Sequence, residues 1–186
     1  MTERLSYWMR VQKYRNRKPY EEPFKLTSEI NFEKDYHVWL HVASRQSGYF
    51  YILNEGPKPT NGLPSYVLLF PSPTANQGSA LLTANQQITI PERSNGFFFD
   101  KERGVEKVWL VWSASRVPEL ENVKTVTNPK DHGSITDPAQ IRAVRDWLAK
   151  NNQPAQLAVE TDEQNKQINI KGRGDTLVRQ IKLEHN

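Results

Sequence analysis

The chain has no cysteine among its 186 residues. This absence excludes a disulfide scaffold, a thiolate metal site and a cysteine nucleophile. The chain also lacks an apolar run near the roughly 20 residues that span a membrane. Its first residues, MTERLSYWMRVQKY, have no apolar core of a signal peptide. These features fit a cytoplasmic domain, or an envelope or extracellular domain if the chain is a piece of a longer secreted parent.

Size and composition predict one structural domain with a real hydrophobic core. A chain of this length can bury a core without disulfides or metals. The mean hydropathy of -0.74 means that the apolar residues are concentrated in a few segments. The formal net charge of +4 permits a nucleic-acid or acidic partner but does not demand one.

The first two-thirds of the sequence has the pattern of a β protein. Residues 36–43 alternate between core-type and polar or aromatic side chains, as a strand requires. Residues 49–53 are rich in aromatic and β-branched side chains, and the polar residues 44–48 between the two segments predict a β-hairpin. Residues 66–70 and 108–112 are apolar throughout, and the second is typical of a central strand covered on both faces. Shorter strands are predicted at 5–11, 24–26, 88–90 and 97–99.

The last third mixes a helix with strands. Asp137 and Pro138 have the pattern of a helix start, and an apolar stripe follows at helical spacing. Residues 167–171 and 176–183 predict a terminal hairpin. The expected fold is mainly β, with Ig-like or β-sandwich-type antiparallel sheets and a C-terminal helix and hairpin packed on the body. Residues 1–118 would form the body, and residues 119–186 the linker, amphipathic helix and terminal strands of the same structural domain.

The four histidines offer little sign of catalysis. His37 and His41 share one strand face about 13 Å apart, too far for both to ligate one metal. His132 lies in a loop beside Asp131, and neighbours in sequence do not make a catalytic triad. His185 is next to the end and is expected to be solvated. A hydrolase with an acid or histidine site remains an alternative that requires two such groups to converge in a pocket.

A basic run near the N-terminus supports a second alternative, nucleic-acid binding. Basic residues interleaved with aromatic ones can follow a phosphate backbone and stack on bases. The same pattern also fits a solvated edge strand whose charges discourage pairing with other chains. The candidate residues are Arg10, Lys13, Arg15, Arg17 and Lys18.

Five motifs in order resemble a known bacterial family. They are SGYFYILNEG, VLLFPSP, ITIP, FFFD and EKVWLVWS. Together they resemble the bacterial domain of unknown function family 4384, over about residues 5–118. Ser72 stands where this family often has asparagine, and the ending IKLEH resembles an extension that some members carry.

The resemblance implies an accessory domain without an established activity. Such domains often follow Ser/Thr kinase or caspase-like peptidase domains, or occur in envelope proteins, so we expect no catalytic residue, cofactor or metal. The leading hypothesis is a non-enzymatic bacterial interaction or sensory module, regulatory or envelope-associated, with a protein partner. Ligand sites concentrate on loops held by a rigid sheet. The expected binding residues are therefore Asn54, Glu55, Asn61, Ser72 and Asn76.

Overall fold

Two facing β-sheets contain all thirteen strands of the described chain. The structure is a computed structural model and describes residues 1–27, 30–33, 35–92, 96–98, 103–126 and 133–185. In chain order the strands are β1 (Thr2–Arg15), β2 (Lys18–Leu26), β3 (Asn31–Phe32), β4 (Tyr36–Ser44), β5 (Gly48–Glu55), β6 (Tyr66–Phe70), β7 (Leu81–Leu82), β8 (Gln87–Ile90), β9 (Phe97–Phe98), β10 (Gly104–Ser113), β11 (Leu157–Asp162), β12 (Gln167–Gly172) and β13 (Thr176–His185).

The sheets are almost entirely antiparallel. Sheet A has the order β11-β12-β1-β4-β8, with β2 also paired to β1 and β9 also paired to β4. Sheet B has the order β3-β13-β10-β5-β6, with β7 also paired to β5. Among the described pairings β3 with β13 is the parallel one. The predicted mainly β, sandwich-type fold is confirmed.

The core between the sheets is built from alternate residues of long strands. Strand β1 buries the middle of one face, because its odd-numbered positions from 5 to 11 point toward sheet B. The residues that β1 contributes are Leu5, Tyr7, Met9 and Val11. Sheet B contributes Phe50, Ile52 and Leu110 to the same core. Fully burying one such side chain stabilises the fold by about 1.5–3 kcal/mol.

Two helices form a third layer on the outer face of sheet B. They are α1 (Pro118–Val126) and α2 (Pro138–Asn151). The predicted start of α2 is confirmed, since the carboxylate of Asp137 accepts a 2.8 Å hydrogen bond from the backbone N–H of Ala139. The apolar side of the helices packs on alternate residues of β5 and β10, including Leu53 and Val111. Strand β10 is therefore buried on both faces, as its sequence predicts. In the described parts of the chain, no helix has the length and apolar character needed to cross a membrane.

The predicted hairpin of residues 36–43 with 49–53 is wrong. Strand β4 pairs with β1, β8 and β9 in sheet A, whereas β5 pairs with β10, β6 and β7 in sheet B. Each strand buries alternate residues toward the same core from opposite sides, so the residues between them cross from one sheet to the other. At the crossing, Gly48 lies directly against the buried ring of Trp112.

The predicted terminal hairpin is also wrong, although both of its strands exist. Strand β12 pairs with β11 and β1 in sheet A, and β13 pairs along its full length with β10 in sheet B. The hairpin of this region is β11 with β12. The terminal strands are thus members of the two sheets and not an addition to a finished body. Helix α1 occupies part of the segment predicted as a linker.

Strand β6 ends where its sequence predicts, immediately before Pro71. Tyr66 and Leu68 face the helical layer, and an irregularity in the pairing with β5 turns Phe70 into the core between the sheets. The backbone N–H of Leu68 donates to the carbonyl of Gly133 at 2.9 Å. The segment before α2 thereby covers this edge of sheet B.

Candidate functional site

The outer face of sheet A carries aromatic and basic side chains from three neighbouring strands. These side chains alternate with the buried residues of the same strands, so they point away from sheet B. We call this set the sheet A surface. It consists of Trp8 and Arg10 from β1, Lys25 from β2, and His37, Trp39 and His41 from β4.

Trp8 is held between two side chains from opposite neighbouring strands. The ring of His41 stacks on the ring of Trp8 with centroids 3.8 Å apart and planes 5° apart. The Nζ of Lys25 lies 4.1 Å from the centroid of Trp8. Because β1 lies between β2 and β4, Lys25 and His41 cover opposite faces of the indole. The stack fixes all three side chains before any ligand arrives.

His41 is a neutral imidazole at physiological pH. Burial lowers the pKa of His41 to about 4, with the charges of Arg10 and Lys25 acting in the same direction. Its Nδ1 and the hydroxyl of Thr89 share a hydrogen bond of 3.0 Å. Its Nε2 is buried without a hydrogen-bond partner in the described structure. Whether this nitrogen carries the proton depends on the tautomer that the hydrogen bond with Thr89 selects.

Arg10 and Trp39 form a second stack on the same surface. The guanidinium carbon of Arg10 lies 4.1 Å from the centroid of Trp39. A side chain at Gly96 would come within 3.0 Å of the Trp39 ring, so the glycine backbone packs against that ring. Trp39 is only 4% exposed. The Nε of Arg10 is buried and has no hydrogen-bond partner among the described residues.

An open groove of about 680 Å³ begins at this second stack and runs along β8. Its lining is mainly polar and includes Arg10, Trp39, Gln87 and Thr89, with Asn76 at the rim. The side-chain amide of Asn76 donates to the carbonyls of Ser79 at 2.7 Å and Leu81 at 2.9 Å. The rim is therefore fixed by its own hydrogen bonds.

Two of the predicted binding residues, Asn54 and Glu55, make side-chain hydrogen bonds within sheet B. The amide of Asn54 donates to the carboxylate of Glu106 at 2.8 Å. The carboxylate of Glu55 accepts from Lys107 at 2.9 Å and from the indole N–H of Trp109 at 2.8 Å. These contacts join β5 to β10, the strand beside it.

The other three predicted binding residues lie in turns. Asn61 has φ +51° and precedes Gly62 at +74°, which is the backbone of a tight two-residue turn. The hydroxyl of Ser72 accepts from the backbone N–H of Ala75 at 3.0 Å. Asn76 lies in the same loop as Ser72 and lines the groove. The binding role of these residues stays a prediction, and the geometry brings only Asn76 to the sheet A surface.

The residues of the predicted basic run lie in different places and contact different partners. Arg10 belongs to the sheet A surface, whereas Lys13 lies on the opposite face of β1 and pairs with Glu21 at 3.0 Å. Arg15 lies over the ring of Tyr20 at 3.8 Å. Arg17 lies in the turn between β1 and β2, and Lys18 is the exposed first residue of β2. The run therefore does not form one continuous patch.

The histidines do not converge on one another where they are described. His37 stacks on Tyr14 with centroids 4.0 Å apart, while His41 stacks on Trp8. His185 is buried, against the expectation that it is solvated, and its Nε2 lies 3.9 Å from Glu106. The C-terminal strand β13 does not end in solvent, because His185 pairs with Phe32 of the neighbouring strand β3. His132 lies outside the described residues. The described side chains contain no group of three His, Asp or Glu that could hold a metal ion.

The residues predicted from the sequence do not include Trp8, Lys25, Gln87 or Thr89. The alternation of residues 4–11 could have placed Trp8 and Arg10 on one strand face. No local signal places that strand beside β4, because the two are separated by more than twenty residues.

The fold and this surface define a class: a two-sheet sandwich module with helices on one outer face and an aromatic and basic surface on the other. Residues 31–116 match the family described as Domain of unknown function (DUF4384). The matched segment runs from β3 to β10 and supplies His41, Thr89 and every groove residue except Arg10, whereas Trp8, Arg10 and Lys25 precede it. No curated protein and no solved structure matches the chain.

Proposed function

We propose that this chain is a non-enzymatic interaction module that binds a protein partner through the sheet A surface. The observation that carries the proposal is the pair of stacks formed by Trp8 with His41 and by Arg10 with Trp39. Tryptophan and arginine dominate the energetics of many protein interfaces, and rigid side chains lose little entropy on binding. A regulatory or envelope-associated role in a larger system fits such a module.

The charge of the surface favours an acidic partner. Arg10 and Lys25 are cationic, while the low pKa of His41 keeps that ring neutral. Arg10 lines the open groove, where its guanidinium can donate hydrogen bonds to a carboxylate or a backbone carbonyl of the partner. Complementary charge raises the rate of association and selects against basic partners.

The arrangement favours protein over single-stranded nucleic acid. Bases bind by stacking on open aromatic faces. Lys25 and His41 already cover both faces of Trp8. Arg10 and the backbone of Gly96 cover Trp39. The cations and the partly exposed indole of Trp8 are left for a partner, and these suit the hydrogen-bonding groups of a polypeptide.

The low pKa of His41 supports a non-enzymatic role for this histidine. A general base works best with a pKa near the operating pH. The pKa of His41, about 4, is far below that range, and the contacts of its ring are Trp8 and Thr89.

Affinity capture from the native host with matched variants tests the proposal. The test variant is the double substitution Arg10→Gln and Lys25→Gln. The control is Arg142→Gln with Lys150→Gln, which removes the same charge from exposed positions of α2. We expect quantitative mass spectrometry to find one or more proteins that the wild type and the control retain and the test variant loses.

Two outcomes would contradict the proposal. One is retention of the same proteins by all three chains. The other is a salt-sensitive gel shift with single-stranded DNA that disappears in the test variant, since this would assign the surface to nucleic acid.

A further inference from the structure

A second cavity lies between the two sheets, away from the sheet A surface. It has a volume of about 300 Å³ and opens beside the edge strand β11. Its walls combine apolar side chains from both sheets, including Tyr7, Met9, Ile168 and Ile181, with the polar residues Thr27, Thr161 and Arg179. Val159, which is 43% exposed, stands at its edge.

One cation, Arg179, lines this cavity. Arg179 of β13 pairs across the strand with Leu110, which is completely buried between the sheets. Arg179 therefore shares the inward face of sheet B with Leu110 and Ile181, and it lines the cavity. The Nε of Arg179 is buried and has no hydrogen-bond partner within the described residues. A partly buried charge without a partner is unfavourable, so the site favours an anion.

We propose that this cavity binds an aliphatic carboxylate, with the carboxylate on Arg179 and the alkyl chain between the sheets. A guanidinium can hold a carboxylate through two parallel hydrogen bonds, which suits this headgroup better than a neutral one. Because the cavity is open on one side, its volume sets an upper limit of roughly ten methylene groups at about 30 Å³ each, close to the volume of a water molecule in the liquid. This inference is independent of the proposed function.

The competing explanation is that Arg179 only protects the sheet. Natural β proteins place inward-pointing charges near strand edges to prevent pairing with other chains. The two explanations differ in a measurable way. Edge protection requires no ligand, so it predicts no binding of aliphatic carboxylates of any chain length.

The two methionines make the test direct. Met9 lines the cavity, and Met1 is 54% exposed at the N-terminus. The chain is labelled with ¹³C-methyl methionine and titrated with decanoate below its micelle concentration. We expect the Met9 methyl signal to shift in a saturable manner while the Met1 signal stays unchanged. Decanol at the same concentration tests the need for the carboxylate and is expected to bind at least tenfold more weakly.

Three variants locate the site. Arg179→Gln is expected to weaken decanoate binding at least tenfold, whereas Arg142→Gln, an exposed arginine of α2, should leave it unchanged. Val159→Trp would fill the mouth and abolish binding without touching Arg179. Because Val159 is largely exposed, this variant should fold even if Arg179→Gln does not.

The proposal is overturned if no saturable Met9 shift occurs for hexanoate, octanoate or decanoate. It is also overturned if decanol binds as tightly as decanoate, or if a folded Arg179→Gln chain binds decanoate with unchanged affinity. Binding of a peptide with an aliphatic C-terminal residue, without binding of the fatty acids, would reassign the cavity to a polypeptide.

Discussion

At the residue scale, His41 couples the stability of the fold to pH. Its pKa falls from 6.5 to about 4 on folding, chiefly through burial. Below pH 6.5 His41 binds a proton in the unfolded chain but not in the folded chain. The contribution of His41 to the free energy of unfolding is therefore fully present above pH 6.5 and is lost as the pH falls toward 4. The partial exposure of the ring reduces the effect to about 1–2 kcal/mol.

Replacing His41 by phenylalanine should remove this pH dependence. The phenyl ring would keep an aromatic group beside Trp8 but could not titrate. We expect the free energy of unfolding of the wild type to fall by about 1–2 kcal/mol between pH 6.5 and pH 4.5, and that of His41→Phe to fall by clearly less. Urea unfolding followed by tryptophan fluorescence measures both. If the free energies of unfolding of the wild type and of His41→Phe fall equally with pH, the pH dependence does not come from His41.

Gly48 is required by its contact with Trp112. A Cβ atom at this position would lie 2.7 Å from the buried indole, which has no room to move. Gly48→Ala should therefore destabilise the chain by about 1–3 kcal/mol. Gly56→Ala is the control, because its Cβ would meet Ser65 at an ordinary 3.6 Å. Equal midpoints of chemical denaturation for the two variants would show that the crossing between the sheets tolerates a side chain.

At the element scale, Tyr51 anchors helix α1 to sheet B. This fully buried side chain of β5 donates to the carboxylate of Glu121 at 2.8 Å and accepts from the backbone N–H of Val117 at 3.2 Å. Burial disfavours the charge of Glu121, but hydrogen bonds from Lys124 and Tyr51 outweigh this effect and lower the pKa of Glu121. One hydroxyl thus joins the start and the first turn of α1 to the sheet.

Tyr51→Phe should loosen α1. Loss of the hydroxyl leaves the Val117 N–H and the Glu121 carboxylate without this partner and should cost about 1–3 kcal/mol. Hydrogen exchange should become faster in α1 and remain unchanged in β1. Tyr49→Phe, on the same strand and only partly buried, is the control. If both variants exchange alike, the hydroxyl of Tyr51 does not hold the helix.

The sequence predicts elements better than it predicts their partners. The alternation of residues 36–43 and the apolar run 108–112 identify β4 and β10 correctly, because strand patterning is local. The two predicted hairpins fail because residues 44–48 and 173–175 carry turn-type residues but cross between sheets. Polar and glycine-rich links have the same composition whether the chain pairs back or changes sheet.

The candidate site was predicted less completely for the same reason. Arg10 belongs to an evident basic run and Asn76 to an evident loop, and both lie at the groove. Trp8, His41 and Lys25 meet only because β1 lies between β2 and β4. Such a site is a product of strand order, which no short stretch of sequence contains.

At the scale of the whole molecule, β13 completes sheet B and cannot be removed. Its ten residues pair with β10, and Leu177, Ile181 and Leu183 fill the core between the sheets. A chain that ends at Gly174 should lose its cooperative thermal transition by circular dichroism. A synthetic peptide of residues 175–186 should restore it, and a scrambled peptide should not. Cooperative unfolding of the shortened chain alone would show that the tail is dispensable.

The molecule has three layers, which are sheet A, sheet B and the two helices, and its two outer faces differ. Helices α1 and α2 cover sheet B, whereas the outer face of sheet A carries the stacked cations and aromatic rings. The central claim is that a protein partner binds this second face. Two of the five tryptophans, Trp8 and Trp39, belong to it, while Trp109 and Trp147 pack in the helical layer.

The most direct measurement is a ¹⁵N spectrum of the five indole N–H groups during titration with the protein that affinity capture identifies. We predict that the signals of Trp8 and Trp39 shift or broaden and that those of Trp109 and Trp147 do not. Changes at Trp109 and Trp147, with Trp8 and Trp39 unaffected, would contradict the account and place the interface on the helices.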